Sequence, residues 1–228
     1  MMLALAAAAL LAASPAGVRM TVLGDSLALG VGASDSSNSF AFLLYKRVLA
    51  QAPGSEMTNL SIGGATASDV TRLEVPRVAV TSPDVILLCV GANDVVRFHS
   101  RAAFARDYGA LVHALRAAAP RAKLVIFNIP DVAVSPIFDA RARAAYSALA
   151  RDDNREIEQA ARESGAAVVD FYGFTGVQGA NTAHFLSDDQ FHPSDEGYAE
   201  LARKSWPAVE REMGTALRGR TYTPRANP

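Results

Sequence analysis

The sequence is poor in the groups that staple, charge or anchor a protein. It has a single cysteine, Cys89, so no intrachain disulfide can form, and that residue lies in the apolar run "VILLCVG", where a thiol packs as a small hydrophobe. The four histidines, His99, His113, His184 and His192, stand far apart, and no His/Cys cluster has zinc spacing, so neither a metal nor another cofactor is expected. Lys and Arg total 22 against 23 Asp and Glu, a net charge of -1, which removes the bulk electrostatic reason to expect nucleic acid as a partner. No apolar run reaches the roughly 20 residues of a membrane-spanning helix. The opening "MMLALAAAALLAASPA", residues 1–16, is interrupted by Ser14-Pro15, and no cysteine stands near it to carry a lipid, so no stable membrane anchor is expected. It closes on small residues as a secretory signal does, although no Lys or Arg precedes it. The expectation is a secreted or periplasmic protein, with a cytoplasmic one as the alternative.

What is present is core-forming material. Half of the residues, 50%, are hydrophobic and 20% are charged, which excludes a disordered chain. The length of 228 residues suits one α/β domain, placed at residues 17–216 and followed by a basic tail at 217–228. No internal repeat or low-complexity linker divides it. A small neutral or mildly polar molecule is the expected partner.

From Val18 onward, short β-rich runs alternate with longer helical ones. Strands are predicted at 18–23, 57–62, 84–90, 122–129 and 166–171. Helices are predicted at 39–51 with Ser39 as N-cap, from about Ser68 with Pro76 limiting regularity, and at 101–120, 140–164 and 194–214. Five apolar strands separated by helices imply a parallel sheet covered on both faces. The predicted architecture is therefore a three-layer α/β/α sandwich with a five-stranded parallel sheet in flavodoxin-like order. Ligands of such sheets bind beyond the carboxyl ends of the strands.

The residues at those ends carry chemistry. After the first strand comes Gly24-Asp25-Ser26-Leu27, after the second Gly63-Gly64-Ala65-Thr66, and after the third Gly91-Ala92-Asn93-Asp94. Beyond the fifth comes "SDDQFHPSDEG", with Asp189 three residues before His192. Acyl transfer needs a hydroxyl, a base to activate it, a group that orients the base, and N–H donors for the oxyanion. Ser26, His192 and Asp189 fit the first three roles. The Ser26 and Gly64 backbone N–H groups and the Asn93 amide fit the last.

In these blocks the chain resembles the SGNH hydrolase superfamily, the GDSL-type esterases and lipases. "GDSL" at 24–27, "NLSIGGAT" at 59–66, "GAND" at 91–94 and "DDQFHP" at 188–193 match its four blocks in order. The resemblance implies Ser26 as nucleophile and oxyanion donor, Gly64 in preference to Gly63 as second donor, and Asn93 as third. It also implies Asp189 in preference to Asp188 as the partner of His192. Asp25 and Asp94 are read as loop-stabilising side chains.

Taken singly, each residue has an ordinary reading: Ser26 as an N-cap, Gly63-Gly64 as a tight turn, Asn93-Asp94 as a turn or cap, Asp189 and His192 as a solvated pair. An α/β-hydrolase is disfavoured because its elbow needs G-x-S-x-G, and Ala28 stands two after Ser26. An FMN-binding flavodoxin is disfavoured because the first loop has hydroxyls suited to phosphate only from Ser34. The predicted activity is hydrolysis of small carboxylic esters, first aliphatic acyl esters in the manner of a carboxylesterase, lipase or lysophospholipase. Carbohydrate acetylesterase activity is the second expectation, and a catalytically silent binding module the third. Leu27, Val95, Val96, Phe98, Val132 and Phe138 are the expected acyl-pocket residues. His99, His113 and His184 are given no role.

Overall fold

The computed structural model describes residues 17–176 and 183–219; the apolar segment 1–16 and most of the basic tail lie outside the described residues. Five parallel strands, β1 (Arg19–Gly24), β2 (Glu56–Asn59), β3 (Val85–Cys89), β4 (Lys123–Phe127) and β5 (Ala167–Val169), form one sheet in the order β2-β1-β3-β4-β5. Nine helices are found among the described residues: α1 (Ser26–Leu29), α2 (Phe40–Gln51), α3 (Ala67–Leu73), α4 (Val75–Thr81), α5 (Ala92–Val96), α6 (Arg101–Ala118), α7 (Ala140–Ser164), α8 (Phe171–Gly176) and α9 (Asp195–Arg218). None of the helices in the described residues is long and apolar enough to cross a membrane.

Strand residues alternate between two cores. Val22, Leu87, Val125 and Phe127 face α2 and α9, where Phe40, Leu44, Tyr198 and Val209 are buried. Leu23, Ile86, Leu88 and Ile126 face α3, α4, α6 and α7, against Val70, Val78, Leu111 and Ile157. Burial on both faces explains why the strands read as continuous apolar runs. Phe40 meets Phe127 at 5.1 Å and Phe171 at 5.5 Å between ring centroids, seating α2 on β4 and on the start of α8. The predicted three-layer sandwich is the observed one.

Several boundaries move for local reasons. The second strand, expected to reach Ile62, keeps regular geometry only to Asn59, yet the N–H groups of Leu60 and Ile62 still donate to Val22 O and Gly24 O. Phe171, expected at the end of a strand, opens α8, because the Asp170 carboxylate accepts the Gly173 N–H and turns the chain into a helix. The segment after Thr66 splits at Glu74 into α3 and α4, with Pro76 in the first turn of α4, a position where its missing N–H costs nothing. Helix α9 runs past Gly214 to Arg218, with Ala216 and Leu217 still packed on the core.

Buried acids tie the carboxyl ends of the strands together. Glu74 accepts the Gly24 N–H at 2.8 Å, Asp25 caps α1 through the Leu27 N–H at 3.0 Å, and Asp94 accepts the Ala67 N–H at 3.1 Å. Asp153 on α7 is buried with neither carboxyl oxygen hydrogen-bonded among the described residues. Burial pushes the Asp25 carboxyl up to about 7, Glu74 to about 8 and Asp153 to about 7, with the neighbouring Asp94 adding to the rise at Asp25 and Asp153.

Unfolded carboxyls of these types titrate near pH 4. Between about pH 4 and the raised values, the folded protein holds protons that the unfolded chain releases, so the stability these groups contribute is lost as pH rises. A tenfold difference in proton affinity between the folded and unfolded chain is worth about 1.4 kcal/mol per group. Thermal unfolding is therefore expected at a lower Tm near pH 8 than near pH 5, and Glu74→Gln should flatten the difference; a Tm that climbs over this interval would contradict it.

Candidate active site

The site begins where β1 leaves the sheet. At Gly24 the chain takes φ 140°, and a Cβ there would lie 1.8 Å from Cys89 O, so only glycine can occupy the position. The Asp25 N–H then donates to Cys89 O at 3.1 Å, and the Asp25 side chain caps the single turn of α1. Ser26 is the first residue of that turn. Its N–H, as expected for a first-turn donor, has no acceptor among the described residues, and its Oγ stands 2.8 Å from His192 Nε2.

His192 is delivered by a loop of quite different origin. Ahead of α9, residues 186–193 fold back at the bridge between Leu186 and Pro193, closed by the Ser187 N–H to His192 O at 2.8 Å. Within it, Asp189 Oδ2 lies 2.6 Å from His192 Nδ1, while Asp189 Oδ1 accepts the Ser187 hydroxyl and the N–H groups of Phe191 and His192, each at 2.9 Å. Partial burial pushes the Asp189 carboxyl up, but the His192 ring and the three further donors outweigh it and hold the group well below the usual carboxylate range. Asp189 is thus a fixed anion behind the imidazole. It sets the tautomer in which Nδ1 carries the proton and Nε2 is free to accept one from Ser26. Asp188 is exposed, and the Phe191 ring sits edge-on to His192 at 5.0 Å.

The second and third strand ends supply the donors. Ile62, Gly63, Gly64 and Ala65 make a turn closed by the Ala65 N–H to Ile62 O at 3.1 Å, with Gly64 at φ 80°, the left-handed conformation that the third position of a type II turn demands. The N–H groups of Gly63 and Gly64 have no acceptor among the described residues, so both remain available to a ligand. Asn93 on α5 donates one amide N–H to Ala65 O at 3.0 Å, which leaves its other N–H free and fixes the plane of the amide. A hydroxyl with an imidazole and a carboxylate behind it, facing unengaged N–H donors, is equipped for nucleophilic attack on a carbonyl and for holding the resulting oxyanion.

The expected acyl-pocket residues differ in exposure. Val95 is fully buried, and Leu27 and Val132 nearly so, each packed into one of the two cores. Val96 and Phe138 are half-buried, and Phe98 is 56% exposed. Phe98 adopts φ 54°, a strained conformation for an aromatic residue, and its ring lies 4.8 Å from Tyr146. Tyr146 in turn contacts Phe138 at 4.8 Å, and Phe138 contacts Phe191 at 5.9 Å, so an aromatic row leads from the surface to the His192 loop.

Three roles differ from the sequence reading. His99, expected to have none, is half-buried with Nδ1 3.2 Å from Asp94 Oδ1, and so helps to hold the loop after β3. Glu74 and Arg97, which the sequence does not single out, both bond the backbone of the site, at Gly24 and at Gly64. The spacing of Asn93 and Arg97, four residues apart on one face, is the available signal for the second; a buried glutamate has none in a single sequence. His113 and His184 are exposed.

Comparison with solved structures returns the same fold. The lipase/acylhydrolase from Enterococcus faecalis is 21% identical with a TM-score of 0.68 over 87% of this chain and 97% of that one. TesA is 24% identical with a TM-score of 0.67 over 85% and 98% of the two chains. A variant of Axe2, an acetyl xylan esterase from Geobacillus stearothermophilus, is 20% identical with a TM-score of 0.66 over 87% and 95%. No curated protein matches the sequence. The family model of the GDSL-like lipases and acylhydrolases aligns with residues 22–200, a span that runs from β1, just before Ser26, into α9, beyond His192, and the chain therefore belongs to that family.

Proposed function

We propose that the protein is a serine ester hydrolase acting on aliphatic acyl esters through Ser26, His192 and Asp189. The unbroken relay from Ser26 Oγ through the His192 ring to Asp189, at 2.8 and 2.6 Å, carries this reading. In the first step His192 Nε2 takes the Ser26 proton as Oγ bonds to the substrate carbonyl carbon. The oxyanion is held by the N–H groups of Ser26 and Gly64 and the free amide N–H of Asn93. The tetrahedral centre then collapses, the ester C–O bond breaks, and His192 returns its proton to the departing alcohol. Water repeats the sequence on the acyl-serine, releasing the acid and restoring Ser26.

Exposed apolar side chains around the site support an aliphatic acyl group over a bare acetyl. Leu29 and Ile62 are exposed beside the nucleophile turn and the Gly63-Gly64 turn, Phe98 is exposed at the outer end of the aromatic row, and Ile137 is exposed next to Phe138. The inward packing of Val132 and Ile129 shortens that wall and favours the second reading, a carbohydrate acetylesterase, the class named for the Geobacillus relative.

Purified wild type and Ser26→Ala, assayed on p-nitrophenyl esters of increasing acyl length, decide between these. The expected result is a rate that peaks above acetate and falls by about 10³-fold or more in the variant. Activity confined to acetate would favour the acetylesterase, and activity unchanged by the substitution would remove Ser26 as nucleophile. Since Nε2 of His192 must be free of a proton to act as base while Asp189 stays ionised, kcat/KM followed from about pH 8 to 5 should fall on acidification with a limb of slope one. A flat profile over that interval would contradict the role given to His192.

A further inference from the structure

Gly63 and Gly64 are the most conformationally free residues of the site, and an oxyanion donor placed on them is useful only if that freedom is removed. The turn hydrogen bond between Ala65 and Ile62 does part of this. The rest comes from one short helix. On α5, Asn93 donates to Ala65 O at 3.0 Å, and Arg97, four residues later on the same face, donates from its guanidinium to Gly64 O at 2.9 Å. Asp94, between them, accepts the Ala67 N–H at 3.1 Å. Three side chains within one turn and its C-cap thus hold residues 64, 65 and 67. No backbone N–H of the described residues reaches Gly64 O, so the Arg97 contact is its anchor there.

The setting of Arg97 agrees with that task. Its backbone is fixed by the Arg97 N–H to Asn93 O at 3.1 Å, and the next residue, Phe98, turns out of the helix at φ 54° against Tyr146. Its guanidinium makes no ion pair among the described residues. The side chain is exposed, so it contributes little to the core, and its one side-chain hydrogen bond among the described residues is to the turn that carries the proposed donor.

We propose that Arg97 is a positioning residue for the oxyanion site: it holds the carbonyl of Gly64 so that the Gly64 N–H stays aimed at the place where the substrate oxygen becomes negative. The assignment rests on the serine-hydrolase reading above. Because the donor matters most when charge has developed, loosening it should lower kcat and leave KM nearly alone.

The test compares wild type, Arg97→Met, Arg97→Lys and Ser26→Ala on the best p-nitrophenyl ester, with Tm measured for each. Arg97→Met keeps the apolar stem and removes the donors, and it should lower kcat about tenfold with KM within about twofold, a smaller loss than removing an oxyanion donor outright. Arg97→Lys, which can still donate to Gly64 O, should recover most of the rate. Inactivation by a p-nitrophenyl alkylphosphonate, whose phosphoryl oxygen takes the oxyanion position, should slow in parallel with kcat. The assignment is overturned if Arg97→Met turns over like the wild type, if the loss falls on KM, or if Arg97→Lys is as slow as Arg97→Met at an unchanged Tm. A KM effect seen only with esters carrying an anionic group would instead make Arg97 a substrate contact. If Ser26→Ala keeps the wild-type rate, the reading of the whole site fails and the Arg97 assignment with it; if Ser26→Ala is inactive and Arg97→Met is not impaired, Arg97 alone is wrongly assigned.

Discussion

The close approach of β1 to β3 at Gly24 is the constraint on which the site depends. The backbone there passes so near Cys89 O that no side chain fits, and the residue is gripped on both its polar groups: its N–H by buried Glu74 and its carbonyl by the Ile62 N–H. One residue thus links the strand that leads into the Ser26 turn, the strand that leads into Gly63-Gly64, and the helix pair behind them. The order β2-β1-β3 makes this possible, because the connections from β1 and β3 leave toward opposite faces of the sheet and open a crevice between them. Ser26 and Asn93 stand on its two sides.

The acids around this crevice divide by environment. Asp25, Glu74 and Asp153 are enclosed by apolar packing and are held toward their neutral forms by burial. Asp189 has a side chain 46% exposed and several N–H and O–H donors, and it is held ionised. A buried neutral acid can satisfy a backbone N–H without placing a charge beneath Ser26, whereas an ionised carboxylate behind His192 can accept from the imidazole and from several other donors at once. The same residue type therefore serves as a structural peg and as an electrostatic partner within one site, and the surrounding donors decide which.

Much of this is legible in the sequence alone. The apolar strands, the cap at Ser39, the long α7 closed by Gly165, and the placement of Ser26, Gly64, Asn93, Asp189 and His192 after strands all follow from local pattern and motif order. The short helices α1 and α5 do not show there, because one turn offers no periodicity to read. Val95 and Phe98 illustrate the pocket: both are apolar and three residues apart, yet one is in the core and the other faces solvent through a left-handed turn. Such a difference belongs to packing, and no local feature of the sequence encodes it.

The sequence by itself determined the layered α/β class, the family, and the kinds of chemical group at each strand end, since these depend on periodicity, turn residues and short motifs that act over a few neighbours. Only the tertiary structure decided which of those groups meet. Ser26 and His192 are 166 positions apart and touch because two loops from opposite ends of the domain close over one sheet edge. Gly24 with Glu74, and Gly64 with Arg97, are joined in the same way, by strand order and helix docking. Contacts of that range are set by how whole elements bury their apolar faces, a property of the folded chain and not of any segment within it.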